Sequence, residues 1–279
     1  MFKPSKKLTI GYFKTLPTAC EAVPAMKRGV EMAKKALEKK GHKLVPFEVP
    51  SPETPYLLMC EAFVADGGLD TGELLAADVE ISYPNQHLEA ATWPNWYRNL
   101  IAWSSRSAAG DLPIDALLAM VPHDHPHGLN IILRKIKEYR KIMLDAMADM
   151  GIDALLGPAF ACPAVHLDTP RDIFSAATYT GMYNCLNWPA GIVPVTKVNE
   201  NDEVCLCWSL FIEIQNLFVF FLCFQKAMSG YPEVDVHHKA IKASLTSGSV
   251  GLPVAIQIAS KPYCEEIVLR LMHDVESNI

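Results

Sequence analysis

The residue types most able to do chemistry in this chain gather at His123-Asp124-His125-Pro126-His127. In an extended segment His123, His125 and His127 would share one side and could hold zinc, which takes imidazole ligands in tetrahedral sites. Pro126 interrupts such a segment and no fitting fourth ligand follows, so the cluster reads as a polar loop capping the helix after it. His237-His238 reads similarly, because adjacent side chains on one element diverge. A nucleophilic hydrolase needs a nucleophile, a base within reach and oxyanion donors. The chain has no G-x-S-x-G elbow, no Walker-type phosphate loop and no G-x-G-x-x-G. Gly67-Gly68, behind Asp66, is a turn signal. Trp93, Trp96, Leu100 and Trp103 fall at helical spacing, with Tyr97, Arg98 and Ile101 beside them. That pattern suits either a helix packed onto a core or one lying in a bilayer interface.

The elements that would carry these residues alternate between short β-branched runs and amphipathic helices, which predicts an α/β layered fold. Leu8–Tyr12 reads as a strand. Pro24 to Lys40 reads as a helix with Met26, Val30, Ala33 and Leu37 on one face, and Gly41 ends it. His42–Phe47 returns as a strand, completing a βαβ unit. Lys34, Lys35, Lys39 and Lys40 crowd the last turns, where they complement the helix dipole on a solvated face, with a phosphate- or lipid-binding patch as the other reading. Glu53 to Val121 is punctuated by Pro and Gly and predicts short helices. A long helix is predicted from about Gly128 to Met150, with Leu129, Ile132, Leu133, Ile136, Met143, Met147 and Met150 as its core stripe. Further strands are predicted at Asp153–Gly157, Gly191–Val195 and Val254–Ile258. A final helix turns Val268, Leu271, Met272 and Val275 inward.

One stretch stands apart. Val204–Phe224 has 17 apolar residues out of 21. Its Leu, Ile, Phe and Val side chains each favour insertion by about 0.3–0.6 kcal/mol, whereas a central acidic residue costs about 2.5–3.5. Glu213, Gln215 and Asn216 sit mid-segment, and no basic cluster flanks it to set a topology. The stretch runs from Val204 to Gln225, and its last third is rich in Phe and Leu. Valine codons begin with GT, glutamine is encoded by CAG, and a translated pyrimidine tract yields Phe and Leu. Residues 204–225 therefore read as an extraneous, retained-intron-like insertion, with a buried or membrane-touching helix and a true span as the other readings.

The composition excludes general disorder, collagen and coiled coil: 279 residues, 50% hydrophobic and 20% charged, with a net charge of -6. That charge gives no global pull toward nucleic acid. The eight cysteines form no CxxC pair and read as reduced, mostly buried thiols of an intracellular protein. Met1 to Lys7 is followed by no apolar h-region, so no cleaved signal peptide is expected.

Five blocks follow one order: GHKLVPF (Gly41–Phe47), VADGG (Val64–Gly68), DALLGP (Asp153–Pro158), YNCLNWPAGIVPVT (Tyr183–Thr196) and SVGLPVAIQ (Ser249–Gln257). Together they resemble the C-terminal half of the fatty-acid amide hydrolases of the amidase signature family. The resemblance implies a partial α/β/α sandwich around a mixed, twisted sheet, with residues 1–279 forming the C-terminal portion of an amidase domain. It implies hydrolysis of fatty acyl amides by a Ser-Ser-Lys mechanism in a full-length parent. The Gly/Ser-rich signature and the Lys that carry this chemistry match no position here, so no catalytic residue is assigned and the chain alone is expected to be inactive. Met1 falls at what resembles an internal linker, so a truncated product or an incomplete gene model is expected. By position, Phe63, Val64, Phe160 and Val165 resemble acyl-channel residues, with ordinary core as the other reading. Gly157 stands where relatives often carry Thr, and one residue is inserted near Cys162, which departs from the family channel. Trp96, Leu100, Ile101 and Trp103 fall where the family places its membrane-docking helices. The partners implied are a fatty acyl amide, a membrane surface and a second copy of the chain, with no metal, cofactor or nucleic acid. The implied location is cytoplasmic or peripheral on internal membranes.

Overall fold

The computed structural model describes residues 6–16, 20–67, 69, 73, 93–123, 126–165, 169, 173–202, 231–233, 235–245 and 248–279. The chain begins with β1 (Thr9–Tyr12), helix α1 (Pro24–Lys39) and β2 (Lys43–Pro46). Pro24 opens α1 in its first turn, where a missing N–H is harmless. Ala25, Met26, Val30, Ala33 and Leu37 form the buried face. Gly41 adopts a left-handed φ of 82°, and its N–H returns to Glu38 O at 2.8 Å while His42 N reaches Leu37 O at 3.1 Å. Such a turn satisfies the last carbonyls of a helix and favours glycine.

Among the described residues there follow α2 (Thr54–Phe63), α3 (Asn95–Ala109), α4 (Asp111–Ala119) and the 24-residue α5 (Pro126–Asp149). The chain then alternates β3 (Ala154–Pro158), α6 (Thr178–Leu186), β4 (Ala190–Lys197), α7 (Val236–Ser244), β5 (Pro253–Ser260) and α8 (Glu265–Glu276). The five strands form one open, mixed sheet in the order β2-β1-β3-β5-β4. β1 runs parallel to β2 and β3, with Ile10 opposite both Leu44 and Ala154. β5 runs antiparallel to β3 and β4, with Ile258 opposite both Leu156 and Gly191. Every residue of central β3 is buried, whereas edge strand β4 buries only alternate residues, Val193 and Val195. This is the difference expected between an interior and an outer strand.

Helices α1 and α8 pack on each other and against β4 and β5. Helices α2, α5 and α6 form a second packed group, and α5 buries Met143 and Met147 in the same core as Ile10, Leu155 and Ile256. A smaller cluster of Tyr56, Cys60, Val64, Ala116 and Met120 joins α2 to α4.

The structure corrects two details of the sequence reading. Leu129, Leu133 and Met150 belong to the apolar stripe predicted for the long helix, yet they are 49%, 44% and 47% exposed. A helix of this length spans about 36 Å, far longer than the 10- and 9-residue helices α2 and α6 it packs on, so only part of its stripe can be covered. Trp93 also drops out of the helical aromatic face. Pro94, with ψ at 144°, is the N-cap of α3, and a residue before proline is disfavoured in helical geometry. The insertion proposed at 204–225 lies outside the described residues.

Candidate functional site

Helix α3 carries the residues predicted to dock on a membrane, and its polarity is inverted. Its inward side holds Arg98 and Ala102, at 2% and 5% exposure. Its outward side carries Trp96, Leu100 and Trp103, at 69%, 48% and 80%. The spacing i, i+4, i+7 places these three on one narrow stripe. Ile101 is half-buried at its flank. The stripe is braced by its own rings, with Tyr97 contacting Trp93 at 5.1 Å and Trp96 at 5.7 Å between centroids. The buried Arg98 guanidinium donates to Trp93 O at 3.2 Å and to Asn95 Oδ1 at 3.5 Å, tying down the helix start. At the other end Arg106 forks between Asp111 Oδ1 at 2.8 Å and Asp115 Oδ1 at 2.9 Å, which fixes α3 against α4.

The four residues expected to line an acyl channel occupy different surroundings. Phe63, at the end of α2, is 38% exposed. Val64 next to it is fully buried in the small α2–α4 cluster. Phe160 and Val165, on the segment after β3, are half-buried against the main core. None of the four lines the open depression of about 400 Å³ between α2 and α5, whose apolar walls include Leu57, Leu58, Leu118 and Val121.

At the rim of that depression lies a charged group that sequence reasoning did not find. Lys135 Nζ donates to both Glu61 oxygens, at 2.8 and 2.9 Å. His123 Nε2 stands 3.6 Å from Glu61 Oε1, too far for a hydrogen bond. His123 thus turns toward α2 while His127, on the first turn of α5, is exposed, so the two do not share an extended segment; His125 lies outside the described residues. Among the described residues no group of three His, Cys, Asp or Glu side chains could hold a metal ion.

The adjacent histidines of α7 do diverge. His237 Nδ1 lies 2.6 Å from Ser175 Oγ, and His238 Nδ1 lies 2.7 Å from Asp235 Oδ1. Asp235 is also the N-cap of α7, accepting from His238 N at 2.8 Å, and the far nitrogen of His238 accepts from Glu21 N at 3.2 Å. Burial pushes the Asp235 carboxyl up, but donation from the His238 ring and backbone outweighs it and holds the group below its ordinary value. The Ser175–His237 pair has the groups of a nucleophile and a base, but Ser175 is fully buried and offers a substrate no approach. Burial likewise pushes the nearby Cys20 thiol up to about 12, so it is held protonated and unreactive. The only local signal for this group was Asp235 three residues before His238, an N-cap pattern; its other partners are remote in sequence.

The family model described as Amidase matches residues 2–269 of the chain. Fatty acid amide hydrolase 1 of Caenorhabditis elegans is 30% identical over an alignment that covers 99% of this chain and 44% of that protein. Fatty-acid amide hydrolase 1 of Sus scrofa is 29% identical, with the same coverage of both. The chain therefore spans less than half the length of these relatives. A solved fatty acid amide hydrolase superposes with a TM-score of 0.63 at 16% identity, over 99% of this chain and 40% of that one. A 6-aminohexanoate cyclic dimer hydrolase gives 0.52 at 13% identity, over 99% and 46%. At these identities the structural likenesses establish the fold.

Proposed function

Because the chain belongs to the amidase family, we propose that it supplies the C-terminal, lipid-facing part of a fatty acyl amide hydrolase. The overall reaction adds water across the amide bond and releases a fatty acid and an amine. The nucleophilic serine, its partner serine and the lysine base would come from polypeptide other than these 279 residues. The observation that carries this reading is the match itself, which runs through 99% of the chain at 30% identity but covers 44% of the relative. The five ordered sequence blocks support the same reading.

In this proposal Phe63, Phe160 and Val165 contribute apolar surface to the acyl-chain side of the complete site, and Val64, fully buried between α2 and α4, fixes the position of Phe63 beside it. Burying an exposed large apolar side chain is worth about 1.5–3 kcal/mol, so covering these three partly exposed side chains would supply part of the binding energy of a long-chain substrate. Trp96, Leu100, Ile101 and Trp103 dock α3 on a membrane, where a lipid substrate would be collected. The outward stripe on α3 supports that role, since large apolar residues on the solvent side of a packed helix have no use in its core. Among the described residues no helix is long and apolar enough to cross a membrane, which fits attachment through a surface helix. A second copy of the chain is a further proposed partner.

Loss of the catalytic serine and its proton-transfer partner costs a serine hydrolase many orders of magnitude. The test is therefore to read the coding DNA upstream of Met1 and express the longer frame. A frame encoding a Gly/Ser-rich stretch with a preceding lysine, whose product releases fatty acid from a fatty acyl ethanolamide, supports the proposal. A longer product that binds the amide without cleaving it would replace it with a non-catalytic acyl-binding role.

A further inference from the structure

Resting on the membrane-docking reading of α3, we infer that the surface it takes is an electroneutral bilayer, entered by aromatic insertion and not by attraction to anionic lipid. Interfacial helices usually pair an apolar face with lysines and arginines that reach acidic headgroups. Here that second component is used up. From Trp93 to His123 the chain has no lysine and two arginines. Arg98 is 2% exposed and turned into the protein, bonded to Trp93 O and Asn95 Oδ1. Arg106 is held between Asp111 and Asp115. The polar residues flanking the stripe are Asn95, Asn99, Ser104 and Ser107, all exposed and uncharged. Over residues 93–123 the two arginines are balanced by two aspartates, Asp111 and Asp115, so this region carries no net charge.

Tryptophan prefers the headgroup level of a bilayer whatever the lipid charge, because its ring is apolar and its N–H is not. Trp96 and Trp103 stand seven residues apart on one stripe, with Leu100 between them, so the three can enter a single interface together. With no net charge on α3 and α4, the negative potential of an anionic leaflet adds no attraction to that entry. The apolar stripe therefore supplies the attraction without help from charge.

Co-sedimentation of the full chain with vesicles of phosphatidylcholine alone and of phosphatidylcholine doped with phosphatidylserine tests this, each at low and high NaCl. The expected result is binding to the neutral vesicles that added salt does not weaken, and no tighter binding to the doped ones at low salt. Trp96→Ala/Trp103→Ala should lose about tenfold or more in partitioning with an unchanged circular dichroism spectrum, since both side chains are exposed. Tighter binding to the doped vesicles, released by salt, would overturn the lipid class and leave docking standing. No binding to either vesicle would overturn both. Equal binding by the double variant would place the lipid contact elsewhere, for example in the apolar stretch at 204–225, and overturn the assignment to α3. A dimer in sedimentation velocity that the double variant dissolves, without vesicle binding, would give the stripe to a second copy and also overturn it.

Discussion

Replacing Gly157 by threonine puts a side chain into space the structure has already given to Phe13. A Cβ built at 157 would stand 2.4 Å from Phe13 Cζ and 2.8 Å from both Cε atoms, and Phe13 is 6% exposed. Overpacking of this kind costs about 1–3 kcal/mol. Glycine replacement in a strand recovers about 0.4–1 kcal/mol by narrowing the unfolded ensemble, so Gly157→Thr should destabilise by roughly 1–2 kcal/mol. Phe13→Leu removes the clashing Cε and Cζ atoms and costs about 2 kcal/mol, at ~0.8 kcal/mol per buried carbon. The two substitutions share one space, so the double variant should be less destabilised than the sum of the singles by about 1–3 kcal/mol. Urea unfolding followed by circular dichroism gives these differences from the midpoint at constant slope. Strictly additive costs, or a Gly157→Thr variant as stable as the parent, would mean that the ring yields freely and refute the reasoning. The result bears on function, because Phe160 leaves the same end of β3.

Three other outcomes follow from the same structure. Asp202 is 8% exposed and accepts from Arg28 Nε at 3.2 Å and Nη2 at 2.5 Å, while the same guanidinium reaches Thr196 Oγ1 at 3.1 Å and Lys197 O at 2.7 Å. Asp202→Ala should cost about 1–3 kcal/mol, less than a fully buried pair because Arg28 is partly solvated, and Arg28→Lys should lose part of this by giving up the fork. Asp235 has its carboxyl held below the ordinary value, so its contribution to stability is full above the unfolded pKa of about 3.9 and is lost as pH falls through the lower folded value. Asp235→Asn should therefore flatten the acid limb of a stability–pH curve below about pH 4, and an unchanged limb would contradict the assignment. Burial pushes the Cys20 and Cys60 thiols up to about 12, so mass spectrometry after alkylation of the native protein at neutral pH should find both unmodified, and Cys264 labelled ahead of them.

The sequence was most informative where a local rule acts. Pro24 and Gly41 bound α1 to within a residue, and short apolar runs located all five strands. Periodicity found the stripe of α5 but not which part would be covered, because coverage depends on the shorter helices α2 and α6 packed on it. The aromatic spacing on α3 had two readings, core and interface. Tertiary packing, not spacing, decides that Arg98 and Ala102 face inward and the tryptophans outward. Strand order is equally non-local: β5, late in the chain, pairs between β3 and β4. The Glu61–Lys135 and Ser175–His237 contacts join residues 74 and 62 positions apart, a separation no periodicity signals. The blocks YNCLNWPAG and SVGLPVA carried the family resemblance, and they form the end of α6 with β4 and the entry to β5.

The most direct measurement is release of free fatty acid from a long-chain fatty acyl ethanolamide by the purified 279-residue protein, with and without a serine-directed fluorophosphonate. The predicted result is release no faster than the uncatalysed rate and no covalent labelling by the inhibitor. Turnover at an enzymatic rate that the fluorophosphonate abolishes would contradict the claim that the cleaving residues lie on other polypeptide.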